Sequence, residues 1–377
     1  MEFGVFNSLY VPKQLVERWG RDAEHRRFMD EVDYTIAADR NGFKYTWATE
    51  HHFLDEYSHL SANESFLGYL AGRTQRIHLG SGIFNITPPV NHPARIAERA
   101  AVLDHLSLGR FELGMGRGSS TIEQTGFGID DPELTRDMFV EVVRELPKMW
   151  RDGPYSHDGR FFSMPERNVL PKPYTRPHPP LWVAAGSPGT FRLAAKLGIG
   201  VLCFTTSTAD ALAPLIELYK TEIDKCDNPA GEYVNNNVMV TSQMLCLEDR
   251  RRVLDIASNM TSGYQNSLVF RYLDTFPRPA GIPTWPELIP EPTPEQIDAS
   301  IRAGDVCMGT PEEVARAVAR YRDAGADQLV FGMLSTSMPI DVAVEAIETF
   351  GSQVIPEFDK DPVHATTRQR EAALARA

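Results

Sequence analysis

The feature that most constrains this chain is an alternation. Short β-rich runs lie at residues 3–6, 45–49, 77–83, 110–114, 181–184, 200–204, 238–247 and 328–332. Stretches of helical period stand between most of them. The clearest is 21–40, where Phe28, Val32, Ile36 and Ala37 repeat before the stop signal Asn41-Gly42. Others cover 63–73, 93–106 with Pro93 in its first turn, 133–150, a stretch opening near Pro188, 209–224, and 311–324. Strand followed by helix, repeated, is the pattern of βα units on a parallel sheet. Eight such units predict a closed (β/α)8 barrel, the TIM-barrel architecture, rather than an open doubly wound sheet.

The pattern also places the irregular parts. Residues 276–294 hold seven prolines, so an insertion over about 275–296 is expected between units seven and eight. Residues 1–360 read as one barrel domain. Residues 361–377 are polar and rich in Ala and Arg, and read as a C-terminal tail, helical or frayed.

Charge narrows the partners. With 38 Lys and Arg against 51 Asp and Glu, the formal net charge is −13. That argues against nucleic acid and against an anionic membrane surface, both of which need a basic face. The four cysteines, Cys203, Cys226, Cys246 and Cys307, form no Cys-x-x-Cys pair, which fits a reduced cytoplasmic protein better than a disulfide framework or a zinc site. No basic-then-apolar leader and no apolar run of about 18 residues is seen, so neither a signal peptide nor a membrane span is expected.

In a barrel of this kind chemistry sits at the C-terminal ends of the strands. Four strand ends carry unusual residues. The second is followed by Glu50-His51-His52-Phe53. Neighbouring strand residues face opposite ways, so one histidine can face the mouth while the other braces a neighbour. The spacing is wrong for a metal pair, and no metal site is expected. The third is followed by Gly82-Ile83-Phe84-Asn85, whose glycine permits a bulge and close approach of a flat ligand, and then by His92, placed to cap the next helix. The fourth is followed by Gly114-Met115-Gly116-Arg117-Gly118, a glycine-rich turn with a forked cation suited to phosphate. The fifth is followed by Gly186-Ser187-Pro188-Gly189-Thr190, where a helix start offers N–H groups and two hydroxyls; taken alone, this motif reads more simply as plain N-capping by Ser187. Strands four and five are neighbours in a barrel, so both anion sites can hold one monophosphate.

These motifs, in this order, give a resemblance. Glu50-His51-His52-Phe53, His92-Pro93 with Arg95, Ala97 and Glu98, residues 103–111, Gly114-Met115-Gly116-Arg117-Gly118 and Gly309-Thr310-Pro311-Glu312-Glu313-Val314 make the chain resemble the luciferase-like flavin monooxygenases over nearly its whole length. The resemblance implies a barrel with reduced FMN across its mouth. Arg117, Ser187 and Thr190 match residues that hold the flavin phosphate, and His51, with His52 beside it, matches the catalytic histidine. Glu123 matches a carboxylate that supports flavin binding. Gly82, Ile83, Asn85, Gly116 and Gly186 fall where the family contacts the flavin, with a non-proline cis peptide near Gly82-Ile83. Gly116 and Gly186 depart from the light-emitting enzyme, which has cysteine and glutamate there, so no light emission is implied. The family further implies O2 and a small organic molecule as substrates, a separate NAD(P)H-dependent flavin reductase, and homodimers. Two alternatives stay open: a deazaflavin-dependent hydride-transfer dehydrogenase, and a non-catalytic flavin-binding protein.

Overall fold

Eight parallel strands close on themselves: Glu2–Asn7, Tyr45–Ala48, His78–Ser81, Phe111–Gly116, Leu181–Ala184, Gly200–Cys203, Val238–Cys246 and Gln328–Gly332. Each pairs with the next in chain order, and the eighth closes the ring on the first, from Glu2↔Gln328 to Phe6↔Gly332. The computed structural model describes residues 1–205, 207–276, 278–333 and 336–376. Pro277 of the expected insertion and Ala377 of the expected tail lie outside the described residues. The predicted (β/α)8 barrel is thus the observed architecture. Its outer helices are Ala23–Arg40, Asn63–Ala71, Pro93–Leu106, Leu134–Met149, Pro188–Leu197, Ala209–Ile223, Pro311–Asp323 and Ile340–Gln353. No helix among the described residues is long and apolar enough to cross a membrane.

The strands build two apolar layers. Side chains alternate along a strand, so Tyr45 and Trp47 share the inner face. There they pack with Trp182, Leu202, Met239 and Val330 in one buried cluster. Trp47 and Trp182 meet edge to face, centroids 5.2 Å apart. Trp47 is paired across the ladder with Gly80, and only glycine leaves room for the indole: a Cβ on Gly80 would stand 2.2 Å from Trp47 Cε3. The opposite faces of the strands pack against the helices in the main core.

The floor of the barrel is polar and is closed by the C-terminal segment. Helix Ala365–Leu374 docks there, so the stretch read as tail is helical over most of its length. Thr366 Oγ1 donates to Glu112 Oε1 at 2.6 Å, and Ala365 N donates to Glu2 Oε1 at 2.9 Å. Glu112 also accepts from Trp182 Nε1 at 2.7 Å, and burial pushes its carboxyl up to about 8. The His364 and His78 rings stack at 3.6 Å.

The crossover from the seventh to the eighth strand is more structured than its composition implies. It contains helices Arg250–Ser258, Ser262–Tyr272 and Pro294–Ala303 and a short strand, Cys307–Gly309, paired with the end of the seventh. Apolar periodicity does not single out Ser262–Tyr272 because the proline-rich stretch wraps it. Glu291 accepts from the Gly263 and Tyr264 N–H groups at 2.8 and 2.9 Å, and Ile289 N donates to Ser267 Oγ at 2.8 Å. The stretch 152–180, irregular by sequence, includes the antiparallel pair Tyr155–Asp158 and Ser163–Arg167.

Gly80→Ala is expected to lower unfolding free energy by about 1–3 kcal/mol through overpacking, and Trp47→Phe in the same chain should recover part of the loss. Urea unfolding of the two variants measures this; an unchanged midpoint for Gly80→Ala would show that the indole can give way.

Candidate active site

The loops after strands two to five meet at one rim. After the second strand the chain turns at Phe53, whose φ is positive, and His51 N donates to Leu60 O at 3.0 Å. This short loop presents both histidines, and they take different partners. His51 Nδ1 lies 3.1 Å from Glu123 Oε1, and the same oxygen accepts from His52 N at 2.8 Å. His52 Nε2 lies 3.4 Å from Glu50 Oε1, and its ring meets Phe127 edge on. So one histidine is held by a carboxylate from the loop after the fourth strand, and the other leans on its own strand. The Tyr57 ring stands against His51, centroids 5.3 Å apart. Burial first, and then the Glu123 charge, raise the Tyr57 pKa above the ordinary phenol value, so it stays neutral beside the histidine.

After the third strand the peptide bond between Gly82 and Ile83 is cis, at the position the resemblance implied. Asn63, fully buried at the start of the helix that follows the second strand, ties this turn to that strand: its Nδ2 donates to Ala48 O at 2.9 Å and to Ile83 O at 3.1 Å. Phe84–Asn85 then pairs with the fourth strand, Asn85 opposite Gly116. A Cβ on Gly116 would stand 2.7 Å from Ile83 Cγ1, so glycine is what lets the Ile83 side chain lie there. Ile83, Phe6 and Phe204 are only partly buried, on the edge of the inner cluster. Asn85 Oδ1 accepts from Thr87 N and Oγ1 at 3.1 and 2.7 Å, and Asn85 N donates to Glu50 Oε1 at 3.3 Å.

Arg117 follows the fourth strand. It is exposed, with Nη1 donating to Thr135 Oγ1 at 2.8 Å. The fifth strand pairs with the fourth, Val183 opposite Met115, so Gly186 and Ser187 follow on the neighbouring position of the rim. Ser187 caps helix Pro188–Leu197, accepting from Thr190 N at 3.4 Å, and the two hydroxyls are 3.1 Å apart. A Cβ on Gly186 would meet nothing within 4 Å. His92 caps its helix as expected, accepting from Ala94 N at 3.2 Å.

Several polar atoms around the rim are buried without a partner among the described residues: Glu50 Oε2, Ser120 Oγ and both side-chain polar atoms of Gln124. Desolvated polar atoms left unpaired are costly; others of the kind lie away from this rim, at Asn236 and Gln328. Surface clefts of about 430 and 440 Å³ lie elsewhere, one lined by Arg18, Trp19 and Arg26 among others, the second by Phe28, Val32 and Tyr69 among others. Neither is lined by His51, His52, Glu123, Arg117 or Ser187.

A family model described as luciferase-like monooxygenase matches residues 1–328. The chain belongs to the luciferase-like monooxygenase family. This luciferase-like chain is 26% identical over 373 residues to the oxygenase component of the flavin-dependent trigonelline monooxygenase of Acinetobacter baylyi, covering 95% of this chain and 98% of that one. It is 25% identical over 319 residues to the F420-dependent glucose-6-phosphate dehydrogenase of Kineococcus radiotolerans, covering 80% and 86%. Its fold matches the oxygenating constituent of 3,6-diketocamphane monooxygenase from Pseudomonas putida, solved with FMN, with a TM-score of 0.73 at 20% identity over 95% of this chain and 98% of that one.

The hubs that sequence reasoning missed are the Glu50 carboxylate and Asn63. Glu50 sits inside a quoted motif, but nothing in the spacing says that its oxygen gathers His52, Asn85 N and Asn91 Nδ2. Asn63→Ala would take the donor from Ile83 O, while Ala48 O keeps Gly82 N at 2.7 Å, and is expected to cost about 1–3 kcal/mol of stability. Chemical denaturation checks this, and Asn63→Asp, which cannot donate when ionised, should be no better than alanine.

Proposed function

We propose that the protein is the oxygenase of a reduced-FMN-dependent monooxygenase system. The observation that carries this is the His51–Glu123 pair on the same rim as two adjoining loops with phosphate-binding chemistry. Family membership and the trigonelline relative, itself described as an oxygenase component, support it. The residues fit an FMN: open space at Gly186, two hydroxyls at a helix start, an exposed guanidinium, a partly buried Ile83, and unpaired polar atoms at Ser120 and Gln124.

In this reading Arg117 and the first turn of Pro188–Leu197, with Ser187 and Thr190, hold the phosphate. Charge-assisted bonds from a forked guanidinium and helix N–H groups suit a dianion. Gly82, Ile83, Asn85 and Gly116 back the ring. Reduced FMN, when bound, supplies the two electrons that activate O2; one oxygen atom enters the substrate and the other leaves as water. His51 is the proton donor for that chemistry. Glu123 accepting from Nδ1–H leaves Nε2 to take up a proton from solvent and, as the imidazolium, to give it up. His52 braces Glu50 rather than sharing the acid role. Reduced flavin comes from a separate NAD(P)H-dependent reductase, in keeping with the trigonelline relative being an oxygenase component.

A second reading rests on the F420-dependent relative: hydride transfer with a deazaflavin at the same rim. Comparing the affinities of reduced FMN and reduced deazaflavin separates the two.

Arg117→Ala is expected to weaken reduced-FMN binding by about 1.5–3 kcal/mol, the scale of a charge-assisted contact; calorimetry showing unchanged affinity removes Arg117 from the phosphate site. His51→Ala should retain FMN affinity and release more hydrogen peroxide when reduced FMN meets O2. Peroxide release at the wild-type level would deny the histidine its role.

A further inference from the structure

The helix that carries Glu123 does not hold itself. Thr121–Gly126 is six residues long, and its N-cap residue Ser120 makes no side-chain capping bond. So short a helix has little intrinsic stability in water, and its first N–H groups need acceptors. One comes from a remote part of the chain. Asp274 Oδ1 accepts from Thr121 N at 2.9 Å, and its other oxygen accepts from Thr121 Oγ1. The next residue repeats the attachment, Thr275 Oγ1 donating to Ser119 O at 2.9 Å.

Asp274 lies just past helix Ser262–Tyr272 in the crossover between the seventh and eighth strands, and that helix reaches the histidine from the other side. Tyr272 packs on Tyr57, centroids 6.4 Å apart, and Tyr57 packs on His51. Tyr264 OH donates to Glu56 Oε2 at 2.6 Å, which fastens the same helix to the histidine loop. We propose that Asp274 is a positioning residue for His51: by holding Thr121 it sets the helix whose Glu123 fixes the imidazole. The crossover thereby becomes part of the active site rather than a cover on it. This inference rests on the reading of His51 as the proton donor, and it assigns Asp274 no contact with substrate or cofactor.

Cofactor-free, full-length protein labelled with 15N supplies the test. Long-range 1H–15N spectra report the His51 tautomer, the signals being assigned by their loss in His51→Gln. A carboxylate at Nδ1 selects the Nδ1-protonated form. The wild type is expected to show that form alone and Asp274→Ala a mixture with the Nε2-protonated form. Asp274→Asn is expected to lie near the wild type, because its carbonyl oxygen can accept from Thr121 N while its amide nitrogen donates to Thr121 Oγ1. Thermal unfolding of each variant confirms that the barrel is intact. A wild-type tautomer in Asp274→Ala overturns the proposal. A shifted tautomer together with raised peroxide release from reduced FMN supports both the positioning and the acid. A shifted tautomer with wild-type peroxide release, in this variant and in His51→Ala, supports the positioning and overturns the acid reading.

Discussion

Everything at the rim depends on the hydrogen-bond ladder between the first and eighth strands. The parallel ladders set the C-terminal ends of strands two to five side by side on one edge, and the pairing of the first and eighth strands bends that edge into a ring. Without closure, the histidines after residue 50 and the glycine-rich turn after residue 114 would stand two strands apart along a flatter edge. With it, Glu123 reaches His51 across 72 positions of sequence. Closure requires a filled interior, and the filling is specific: Trp47 lies over Gly80, and Trp182 is anchored at its nitrogen by Glu112. Glu112 is in turn held by Thr366 from the C-terminal helix. The floor of the barrel and the base of the site share these side chains.

Much of the architecture was legible because it is written as a period. Strand and helix boundaries such as Pro93–Leu106 follow from apolar spacing and a proline in the first turn, and eight repeats leave few alternatives to a barrel. The motif residues were legible for another reason. Each stands directly after a strand, where side chains project into the mouth, and glycine, arginine and histidine in such places are hard to explain by packing alone.

What escaped the sequence has a common physical cause: side chains whose role is set by a partner far away in the chain. Asn63 looks like an ordinary residue at a helix start, and only the fold shows it holding carbonyls of two strand ends. Asp274 stands beside a proline-rich stretch that reads as loop, and only the fold shows it serving a helix 153 positions earlier. Helix Ser262–Tyr272 was invisible because its polar face is covered by its own insertion, which erases the contrast that periodicity relies on. The two histidines were seen as a pair; their division between Glu123 and Glu50 is a matter of three-dimensional partners.

The central claim is that one anionic tail is gripped between the loops after the fourth and fifth strands. A crystal structure of the protein with FMN tests it most directly. The phosphate is expected within hydrogen-bond distance of Arg117, Ser187 and Thr190, with the ring against Ile83. A phosphate bound in the arginine-lined cleft beside Trp19, or a flavin whose tail points away from the start of helix Pro188–Leu197, would contradict it.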